Sequence, residues 1–556
     1  MSILIKKNLL VKFFLVNYSL LQIYYLRIGG VTYDELGYRY GSKIIIRTFQ
    51  AILKFDFSLA KSYYSDLEYY GQLVLTPSYF FSHFISSYIF KSLEYPGFIF
   101  YSYDDKFYFF SHLFLIVYSS LMLYLIFTLI KSHKNSKFAS VFTIFLILTP
   151  SFSGHSLFNL KDIPFALHFF VVLLLIDKHF YEFKKSKHVS KKQVLFHGLM
   201  FGALLNIRIN SFPLVGLFLL LYLKQVLETK RIKEYIFYNF KITLIATSLL
   251  IFLTPSMWIE PIAWWKLAIE NQFLLKWPGS TLVNGDFIVA TDMSFSYLSN
   301  FFLYKLPLNF ILLFSIYMIF SIYNRPSNFG QKCLFFLISI NLLFIYFKPT
   351  AYDGLRQYLF LLLPIIYIST DTIFFIKNNK IIFNFLFILN IVYLVFTQIS
   401  LGPFKYVYFN ELVDESSISI SCENYDGCGN WSTDYWGYSG KKMSNFINTN
   451  ITSGFLLVCR PDVSIKSYLN QETTNYVYNS EIDSVSFNKL NFTTTDTTII
   501  KDLDIQNFYI VTFHRPRLNE NSCLLEPNIY CEDIYIEKVS LRGTELNLSY
   551  LKKCNL

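Results

Sequence analysis

The sequence predicts a polytopic α-helical membrane protein of about eleven transmembrane helices, followed by a small C-terminal α/β domain. Three observations lead to this fold class. Of the 556 residues, 53% are hydrophobic and only 16% are charged, against about 25% charged residues in ordinary soluble domains. Apolar runs of about 17–22 residues recur, and each is long enough to cross a hydrocarbon core about 30 Å thick. After residue 401 these runs stop, and a more polar composition begins.

The apolar runs place all transmembrane helices within residues 1–401. The chain starts with Lys6-Lys7 and a long apolar run, which is typical of a retained first span rather than of a cleaved signal peptide. Hydrophobic runs predict spans at residues 8–27, 110–130, 138–153, 163–177, 194–207, 212–223, 242–258, 306–323, 333–347, 357–373 and 381–399.

Basic residues in the short loops predict the orientation of the protein. They occupy alternate loops, as Lys131, Lys134 and Lys137; Lys184, Lys185, Lys187, Lys191 and Lys192; Lys224, Lys230, Arg231 and Lys233; Arg325 and Lys332; and Lys377 and Lys380. A cytoplasmic N-terminus places every one of these loops in the cytoplasm, as the positive-inside rule requires. Residues 28–109 then form the first outer loop. We therefore expect a multi-pass protein of the cell membrane, in a bacterium the inner membrane.

The net charge of +11 is accounted for by these loops, so it does not indicate a nucleic-acid partner. Membrane lipids are the partners that the composition implies.

Residues 402–556 form the predicted second domain, which lies outside the cytoplasm on this topology. The stretch SGKKMSNFINT is helix-like, and GFLLVC and FYIVTF are strand-like. The domain contains six of the seven cysteines, namely Cys422, Cys428, Cys459, Cys523, Cys531 and Cys554. An even number in an exported domain is consistent with disulfides, with Cys422 and Cys428 the closest pair in sequence. Free thiols are the alternative.

Polar residues at the ends of the spans concentrate on the predicted outer side. The segments are TYDELGYRYG (32–41), GHSLFNLKDIPF (154–165), LNIRINSFP (205–213), PSMWIEPIAWW (255–265), KWPGSTLVNGDF (276–287), KPTAYDGLRQY (348–358), GPFKYVYFNELV (402–413) and STDYWGYSG (432–440). Interfacial anchors alone would be spread over both faces. Charged residues facing a shared cavity in a membrane protein indicate a functional site.

The residue types suggest the chemistry of that site. Asp34 and Glu35 follow the first span, and a carboxylate there can act as a general base or bind a cation. Lys161, Arg208 and Arg356 are cations at three separate span ends. Arginine matches phosphate geometry with two parallel hydrogen bonds, whereas lysine acts as a point charge. One carboxylate and several cations at a membrane surface fit a phosphate-bearing lipid substrate. Residues 41–55 have the pattern of an interfacial amphipathic helix.

The chain resembles integral-membrane glycosyltransferases of the GT-C superfamily, in the family 39-like branch that includes protein O-mannosyltransferases and aminoarabinose transferases. The resemblance extends over roughly residues 25–440. It rests on the motifs Asp34-Glu35, GHSLFNLKDIPF, PSMWIEP, WPGSTLVNGDF, DGLRQYLFLLLP, YVYFNELV and TDYWG.

This resemblance implies transfer of a hexose or pentose from a polyprenyl-phosphate-linked donor, on the outer face and with inversion at the anomeric carbon. The acceptor would be a lipid, a glycan or a protein. Asp34 would be the base that activates the acceptor, with Glu35 beside it. Lys161, Arg356 and Arg208 would hold the donor phosphate. The residues that would shape the site are His155, Asn159, Asp162, Asp353 and Asn410.

Two positions depart from the motifs of the family. Gln357 stands where a histidine is expected after the arginine of DGLR, and Asp414-Glu415 stands where a glycine pair is expected after YFNELV. The resemblance requires no cofactor and no metal; a Mg²⁺ ion bridging Asp34 and the donor phosphate is the alternative. The sequence has no P-loop and no Rossmann glycine pattern, which favours a lipid-linked donor over a nucleotide sugar.

Two other classes of function fit parts of the sequence. A transporter or flippase of a lipid-linked glycan is expected to place charges near mid-membrane and to show internal repeats. A non-catalytic membrane scaffold would use residues 402–556 to bind a partner. We therefore keep both as alternatives to the enzyme.

Overall fold

The computed structural model describes most of the chain. The residues that it describes are 9–62, 69, 72–92, 94–95, 98–185, 189–273, 277, 279–323, 327–375, 380–421, 427–477, 489–494, 505–515 and 530–555.

Residues up to 401 are mainly helical. The helices are α1 (Leu9–Tyr25), α2 (Tyr33–Leu53), α3 (Phe57–Ser62), α4 (Gln72–Phe84), α5 (Tyr103–His133), α6 (Ser136–Leu148), α7 (Pro150–His155), α8 (Asp162–Lys184), α9 (Lys191–Ile207), α10 (Ser211–Leu220), α11 (Leu223–Glu228), α12 (Ile232–Leu253), α13 (Ser256–Ile259), α14 (Pro261–Phe273), α15 (Tyr297–Lys305), α16 (Leu308–Tyr323), α17 (Asn328–Phe347), α18 (Leu362–Phe375) and α19 (Lys380–Leu401). The short hairpins are β1 (Glu94–Tyr95) with β2 (Phe98–Ile99), and β3 (Ser280–Val283) with β4 (Asp286–Val289). A 3₁₀ helix, Arg356–Leu361, leads directly into α18.

The predicted polytopic helical fold is confirmed. Each of the eleven predicted spans overlaps a helix of the structure, and spans 138–153, 212–223 and 242–258 each continue across a break into a second, short helix. In the described part of the chain, six helical segments are long and apolar enough to cross a membrane by themselves, and a bent pair makes up to seven. The α6 and α10 helices are apolar but shorter.

The bent pair consists of α15 and α16, which meet at an angle of 117°. The break lies at Leu306-Pro307, where Leu306 takes an extended backbone with ψ of 139°. Proline lacks the amide hydrogen that would continue α15, and its ring disfavours a helical conformation of the preceding residue. The predicted span 306–323 is confirmed as α16, and the short helix α15, which the sequence did not predict, turns sharply into it.

Basic residues gather at one end of the bundle, which we call the lysine-rich end. Ion pairs and hydrogen bonds tie its helix ends together: His133 lies 3.6 Å from Asp177, Lys134 lies 3.4 Å from Asp371, and the Arg231 Nη1 donates to the Phe183 carbonyl. The α8 helix runs from Asp162, at the opposite end, to Lys184 at this end, and its 23 residues span about 34 Å. Lys187, Arg325 and Lys377 lie outside the described residues.

Residues after α19 pack first against the bundle. The 3₁₀ helix Gly402–Val407 lies against α7 at Gly154. A Cβ atom at Gly154 would lie 2.3 Å from the Tyr406 amide nitrogen, so this close backbone approach requires glycine.

The C-terminal part is a mixed six-stranded sheet with two helices. Its elements are α20 (Gly440–Asn450), β5 (Gly454–Val458), α21 (Val463–Lys466), β6 (Thr474–Tyr476), β7 (Leu490–Thr494), β8 (Asn507–Phe513), β9 (Tyr530–Leu541) and β10 (Thr544–Asn555). The strand order is β6-β7-β5-β8-β10-β9, in which the first four strands are parallel and the last three are antiparallel. The helix and both strands predicted from the sequence are therefore confirmed.

Both faces of this sheet are buried at β5. Leu456 and Val458 pack with Met443 of α20 on one face, and Phe455 and Leu457 pack on the other. Successive side chains of a strand point to opposite faces. A strand that is covered on both faces therefore has a continuous apolar sequence, here GFLLVC.

Disulfides are present in this part of the chain. Cys531 of β9 is bonded to Cys554 of β10, and Cys428 and Cys459 are also disulfide-bonded. Cys422 and Cys523 lie outside the described residues. The thiol of Cys333, buried in α17, is the free cysteine of the described chain.

A buried ion pair joins the sheet domain to the bundle. The Lys441 Nζ of α20 lies 2.7 Å from the Asp105 carboxylate in the first turn of α5, and both side chains are less than 10% exposed. Nearby, the Ser102 hydroxyl donates to the Ser467 carbonyl and the Ser464 hydroxyl donates to the Val31 carbonyl. Charged and polar groups therefore fix how the two parts meet.

Replacing Lys441 with methionine is expected to destabilise the protein by about 3 kcal/mol, because Asp105 would be left as an uncompensated buried charge. Thermal unfolding of the protein in detergent measures this change. The double variant Asp105→Leu/Lys441→Met is expected to recover most of the loss. A single variant as stable as the wild type would show that the pair does not hold the two parts together.

Candidate functional site

Asp34 is positioned by the first turn of α2. Its neighbour Glu35 is 2% exposed and accepts hydrogen bonds from the Thr32 amide (2.7 Å) and hydroxyl (2.9 Å) through one carboxylate oxygen. The other oxygen of Glu35 lies 2.6 Å from His112 Nε2 of α5. Glu35 and His112 thus anchor the turn that carries Asp34.

Asp34 and Arg356 form a direct ion pair. The Arg356 Nη1 lies 2.5 Å from Asp34 Oδ2, and the Tyr38 hydroxyl donates to the same oxygen at 3.4 Å. The second terminal nitrogen of Arg356 lies 3.1 Å from Asp353. One guanidinium therefore bridges two carboxylates that come from α2 and from the DGLR motif.

A tight turn aims Arg356 at this position. Asp353 (φ 55°) and Gly354 (φ 71°) both take left-handed backbone conformations, which glycine and aspartate accept more readily than other residues. Asp353 also lies 3.2 Å from Arg515 Nη2. Arg515 lies two residues after the end of β8, so the sheet domain contributes a cation to the site.

Aromatic rings enclose the Arg356 guanidinium. Its central carbon lies 4.5 Å from the Trp436 ring centroid and 4.9 Å from that of Tyr352. Guanidinium groups stack favourably on aromatic faces. Trp436 belongs to the TDYWG motif, which is held by Asp434 through the Tyr438 and Ser439 amides.

The GHSLFNLKD loop brings a second ion pair to the same region. Asn159 Oδ1 accepts the Asp162 amide hydrogen at 2.9 Å, and its Nδ2 donates to the Asp162 carboxylate at 3.0 Å. Asp162 pairs with Arg208, the residue that ends α9. His155 is buried, and its Nε2 lies 3.3 Å from the Tyr435 hydroxyl. The loop thereby places Lys161 between the two ion pairs.

We call this group the charge cluster, defined as Asp34, Asp162, Asp353, Lys161, Arg208, Arg356 and Arg515. Lys161 approaches the Tyr38 ring, with its Nζ 5.4 Å from the centroid. The cluster contains four cations and three carboxylates, which leaves one positive charge in excess.

Two cavities meet at Lys161 and Tyr352. The acid cavity, about 630 Å³, is lined by Asp34, Lys161, Tyr352 and the tyrosines of α2. The arginine cavity, about 280 Å³, is lined by Arg208, Lys161, Tyr352, polar groups such as Asn210, Gln272 and Gln357, and apolar side chains such as Phe165, Leu214 and Ile340. A ligand in one cavity would therefore be in reach of a ligand in the other.

The surroundings shift the pKa of two residues in these walls. Burial alone would raise the pKa of the Asp34 carboxyl, but Arg356 and Lys161 outweigh it and hold that pKa below its usual range. Burial, reinforced by the nearby Arg208, lowers the pKa of Lys161 to about 8. Asp34 is consequently ionised at neutral pH, whereas Lys161 loses its charge in mildly basic solution.

Two arginines of the cluster each have a buried N–H donor that makes no hydrogen bond. Within the described chain, the Nε atoms of Arg208 and Arg356 are buried and have no hydrogen-bond partner. Buried donors of this kind are rare in folded proteins. Of the two, Arg208 lines the arginine cavity, so a ligand there with acceptor oxygens would be in reach of its side chain.

The structure thus brings together most of the predicted site residues. Asp34, Lys161, Asp162, Arg208, Asp353 and Arg356 form the cluster, with His155 and Asn159 beside it and Glu35 behind Asp34. Asn410 lies elsewhere: its amide donates to the Leu303 and Leu306 carbonyls at the end of α15. Of the two departures from the family motifs, Gln357 lines the arginine cavity, whereas Glu415 pairs with Arg542 outside the cluster.

The sequence motifs do not predict Arg515, Tyr352 and His112 as site residues. Tyr352 does lie within the polar segment KPTAYDGLRQY (348–358), so that motif indicates its neighbourhood. Arg515 and His112 carry no local signal, because their roles arise from the packing of distant segments.

The described part of the chain contains no group of three His, Cys, Asp or Glu side chains that could hold a metal ion. A cation at Asp34 would meet a single carboxylate whose Oδ2 already accepts from Arg356 and Tyr38. The alternative of a Mg²⁺ ion that bridges Asp34 and a donor phosphate stays a prediction.

Comparison with protein-family models finds no match, and comparison with curated protein sequences finds none. Among solved structures, the chain is similar to ArnT from Cupriavidus metallidurans in the apo state, with a TM-score of 0.42 and 10% identity over 85% of this chain and 91% of that one. It is also similar to ArnT from the same organism bound to undecaprenyl phosphate, with a TM-score of 0.46 and 10% identity over 97% of each chain. These values describe a distant similarity.

Proposed function

We propose that this protein is a membrane glycosyltransferase that moves a sugar from a polyprenyl-phosphate-linked donor to an acceptor, with Asp34 as the general base. The observation that carries the proposal is the charge cluster, in which an ionised carboxylate lies among several cations at the meeting point of two cavities. The resemblance of the sequence motifs to GT-C enzymes of the family 39-like branch supports the same function.

The charges of the cluster suit a phosphodiester. Its one positive charge in excess would be neutralised by the single negative charge of a lipid-phosphate-sugar. The buried Nε donors of Arg208 and Arg356 would gain phosphate oxygens as acceptors, and arginine binds phosphate in this way. In the proposal, Lys161 adds a point charge from the shared wall.

The two cavities suit the two substrates. The arginine cavity combines phosphate-binding cations with apolar walls such as Phe165, Leu214 and Ile340, as a polyprenyl chain and its phosphate require. The acid cavity has Asp34 in a wall rich in tyrosine and would receive the acceptor. Lys161 and Tyr352, which line both, would lie beside the anomeric carbon.

The reaction follows from this arrangement. The acceptor hydroxyl attacks the anomeric carbon from the side opposite the phosphate, and its proton passes to the Asp34 carboxylate. The bond between the anomeric carbon and the phosphate oxygen breaks, and its electron pair leaves with polyprenyl phosphate. Arg356, Arg208 and Lys161 stabilise the charge that develops on the leaving phosphate. Attack from the opposite side inverts the configuration.

In this proposal residues 1–401 form the catalytic membrane domain, and residues 402–556 form an extracytoplasmic domain that covers it and supplies Arg515. Glu35 supports the base from behind, while His155, Asn159, Asp162 and Asp353 orient the cations. Asn410 holds the end of α15, outside the charge cluster. No metal and no other cofactor takes part.

The proposal is tested with purified protein in liposomes that contain a synthetic polyprenyl-phosphate sugar and an envelope extract as acceptor. Transfer releases polyprenyl phosphate, which mass spectrometry detects. A flippase would move the intact donor across the bilayer without releasing this product, and a scaffold would do neither. Mass analysis of envelope glycans with and without the gene would identify the sugar and the acceptor together.

The binding of donor is expected to weaken as the pH rises. The pKa of Lys161, about 8, means that its positive charge is present below that pH and is lost above it, whereas the donor phosphodiester keeps its charge throughout. The donor KM should therefore rise several-fold between pH 7 and 9.5. In Lys161→Arg the cation persists above pH 12, so KM should stay level. An equal rise in both proteins would exclude Lys161 from phosphate binding.

A further inference from the structure

A third cavity lies at the lysine-rich end, far from the charge cluster. It has a volume of about 600 Å³ and lies between α8, α9 and α12. His179 of α8 is part of its lining, 17 residues along the helix from Asp162, which corresponds to about 25 Å. The cavity therefore belongs to the opposite half of the bilayer and is separate from the proposed transferase site.

Its lining combines cations with apolar walls. The lining contains three cations: Lys191 at the start of α9, Arg231 just before α12, and Lys241 within α12. Glu234 is the one acidic residue of this lining. Arg231 Nε donates to Glu234 at 3.1 Å, so the lining keeps two positive charges in excess. The apolar wall includes Ile176, Leu219, Leu244 and Ile245.

Polar groups also occupy the inner part of this cavity. His179 and His197 are both 3% exposed, and their Nδ1 atoms lie 2.8 Å apart. The Tyr238 hydroxyl contacts His179, and Asn239 is also in the lining. These groups offer hydrogen bonds inside an otherwise apolar space near the lysine-rich end.

We propose that this cavity binds an anionic phospholipid of the leaflet at the lysine-rich end, with the lipid phosphate attracted by the excess positive charge that Lys191, Arg231 and Lys241 give the lining and one acyl chain along Leu244 and Ile245. A lysine or arginine that faces the headgroup of an anionic lipid contributes about 1 kcal/mol to its attraction. The apolar wall gives the acyl chain a place that a free phosphate ion would not use. This inference does not depend on the proposed transferase activity.

Native mass spectrometry of the full-length protein, released from vesicles of phosphatidylglycerol and phosphatidylcholine, tests the proposal. The wild type should retain phosphatidylglycerol in preference to phosphatidylcholine. Lys191→Gln/Lys241→Gln should bind phosphatidylglycerol about thirtyfold more weakly. The matched control Lys192→Gln/Lys233→Gln removes two cations from the same helices, outside the cavity lining, and should retain the lipid as the wild type does.

A second variant separates the lipid from free phosphate. Leu244→Trp fills the apolar wall at an exposed position, so it should lose phosphatidylglycerol while still binding inorganic phosphate. Three results would overturn the proposal. The wild type could retain both lipids equally, the two double variants could lose phosphatidylglycerol equally, or the wild type could retain inorganic phosphate but no lipid. Because the readout is bound lipid, failure here would leave the transferase assay unaffected.

Discussion

Asp34→Asn is expected to reduce sugar transfer by about 10²–10⁴-fold while leaving the donor bound, because an amide cannot accept the proton of the acceptor hydroxyl. The substitution preserves size and leaves Arg356 paired with Asp353, so the fold should persist. Single-turnover release of polyprenyl phosphate measures the rate of transfer. Equilibrium binding of a labelled donor measures whether the variant still binds the donor.

A matched control for this variant is Asp104→Asn. Asp104 also pairs with an arginine, Arg39, at 2.7 Å, but it lies outside the charge cluster. Its transfer rate should be within about twofold of wild type. An Asp34→Asn protein that transferred sugar at more than a tenth of the wild-type rate would exclude Asp34 as the base. A flippase or a scaffold would not require Asp34 for proton transfer.

Replacing Arg356 with alanine is the second change for which we expect a large effect. It removes the group that joins Asp34 to Asp353 and that stacks on Trp436. Loss of one preorganised donor to a developing negative charge typically lowers the rate about 10²–10³-fold. We expect kcat to fall or the donor KM to rise by that factor, with normal insertion into the membrane.

Two further variants separate chemistry from stability. Removing one partner of a buried ion pair destabilises a protein by about 3–5 kcal/mol, so folding is monitored by thermal unfolding. Arg356→Lys keeps the charge but cannot bridge both carboxylates, and we expect an intermediate loss of transfer. Arg542→Ala removes an arginine that pairs with Glu415 away from the cluster and should leave donor kinetics unchanged. If Arg356→Ala also left donor kinetics unchanged, Arg356 would not bind the phosphate.

The helices were largely predictable because each depends on a local property of the sequence. A run of apolar residues long enough to cross a bilayer has few alternatives to a helix. The 117° bend between α15 and α16 was not predicted, because the hydrophobicity of a long segment is an average in which one proline has little weight. The chemistry of Pro307 nevertheless explains the break. Strands β5 and β8 were also found from short apolar runs.

The membership of the charge cluster was predictable, but its pairings were not. Charged residues beside apolar spans stand out in a sequence of this composition, and these included Asp34, Lys161, Arg208 and Arg356. Which of them touch depends on contacts between segments 322 residues apart, as for Asp34 and Arg356. Asn410 is the opposite case: its motif, YVYFNELV, resembles a site motif of the family, but its side chain caps the end of α15 and lies outside the cluster.

The contact between Arg515 and Asp353 links the completion of the site to the order in which the chain is made. Ribosomal synthesis delivers every predicted transmembrane segment before Arg515 emerges, and strands β9 and β10, which extend the sheet beside β8, are made after it. A nascent or truncated protein would therefore hold its lipid-facing bundle in the membrane yet lack one cation of the proposed centre. Activity would appear late, as a property of the finished polypeptide.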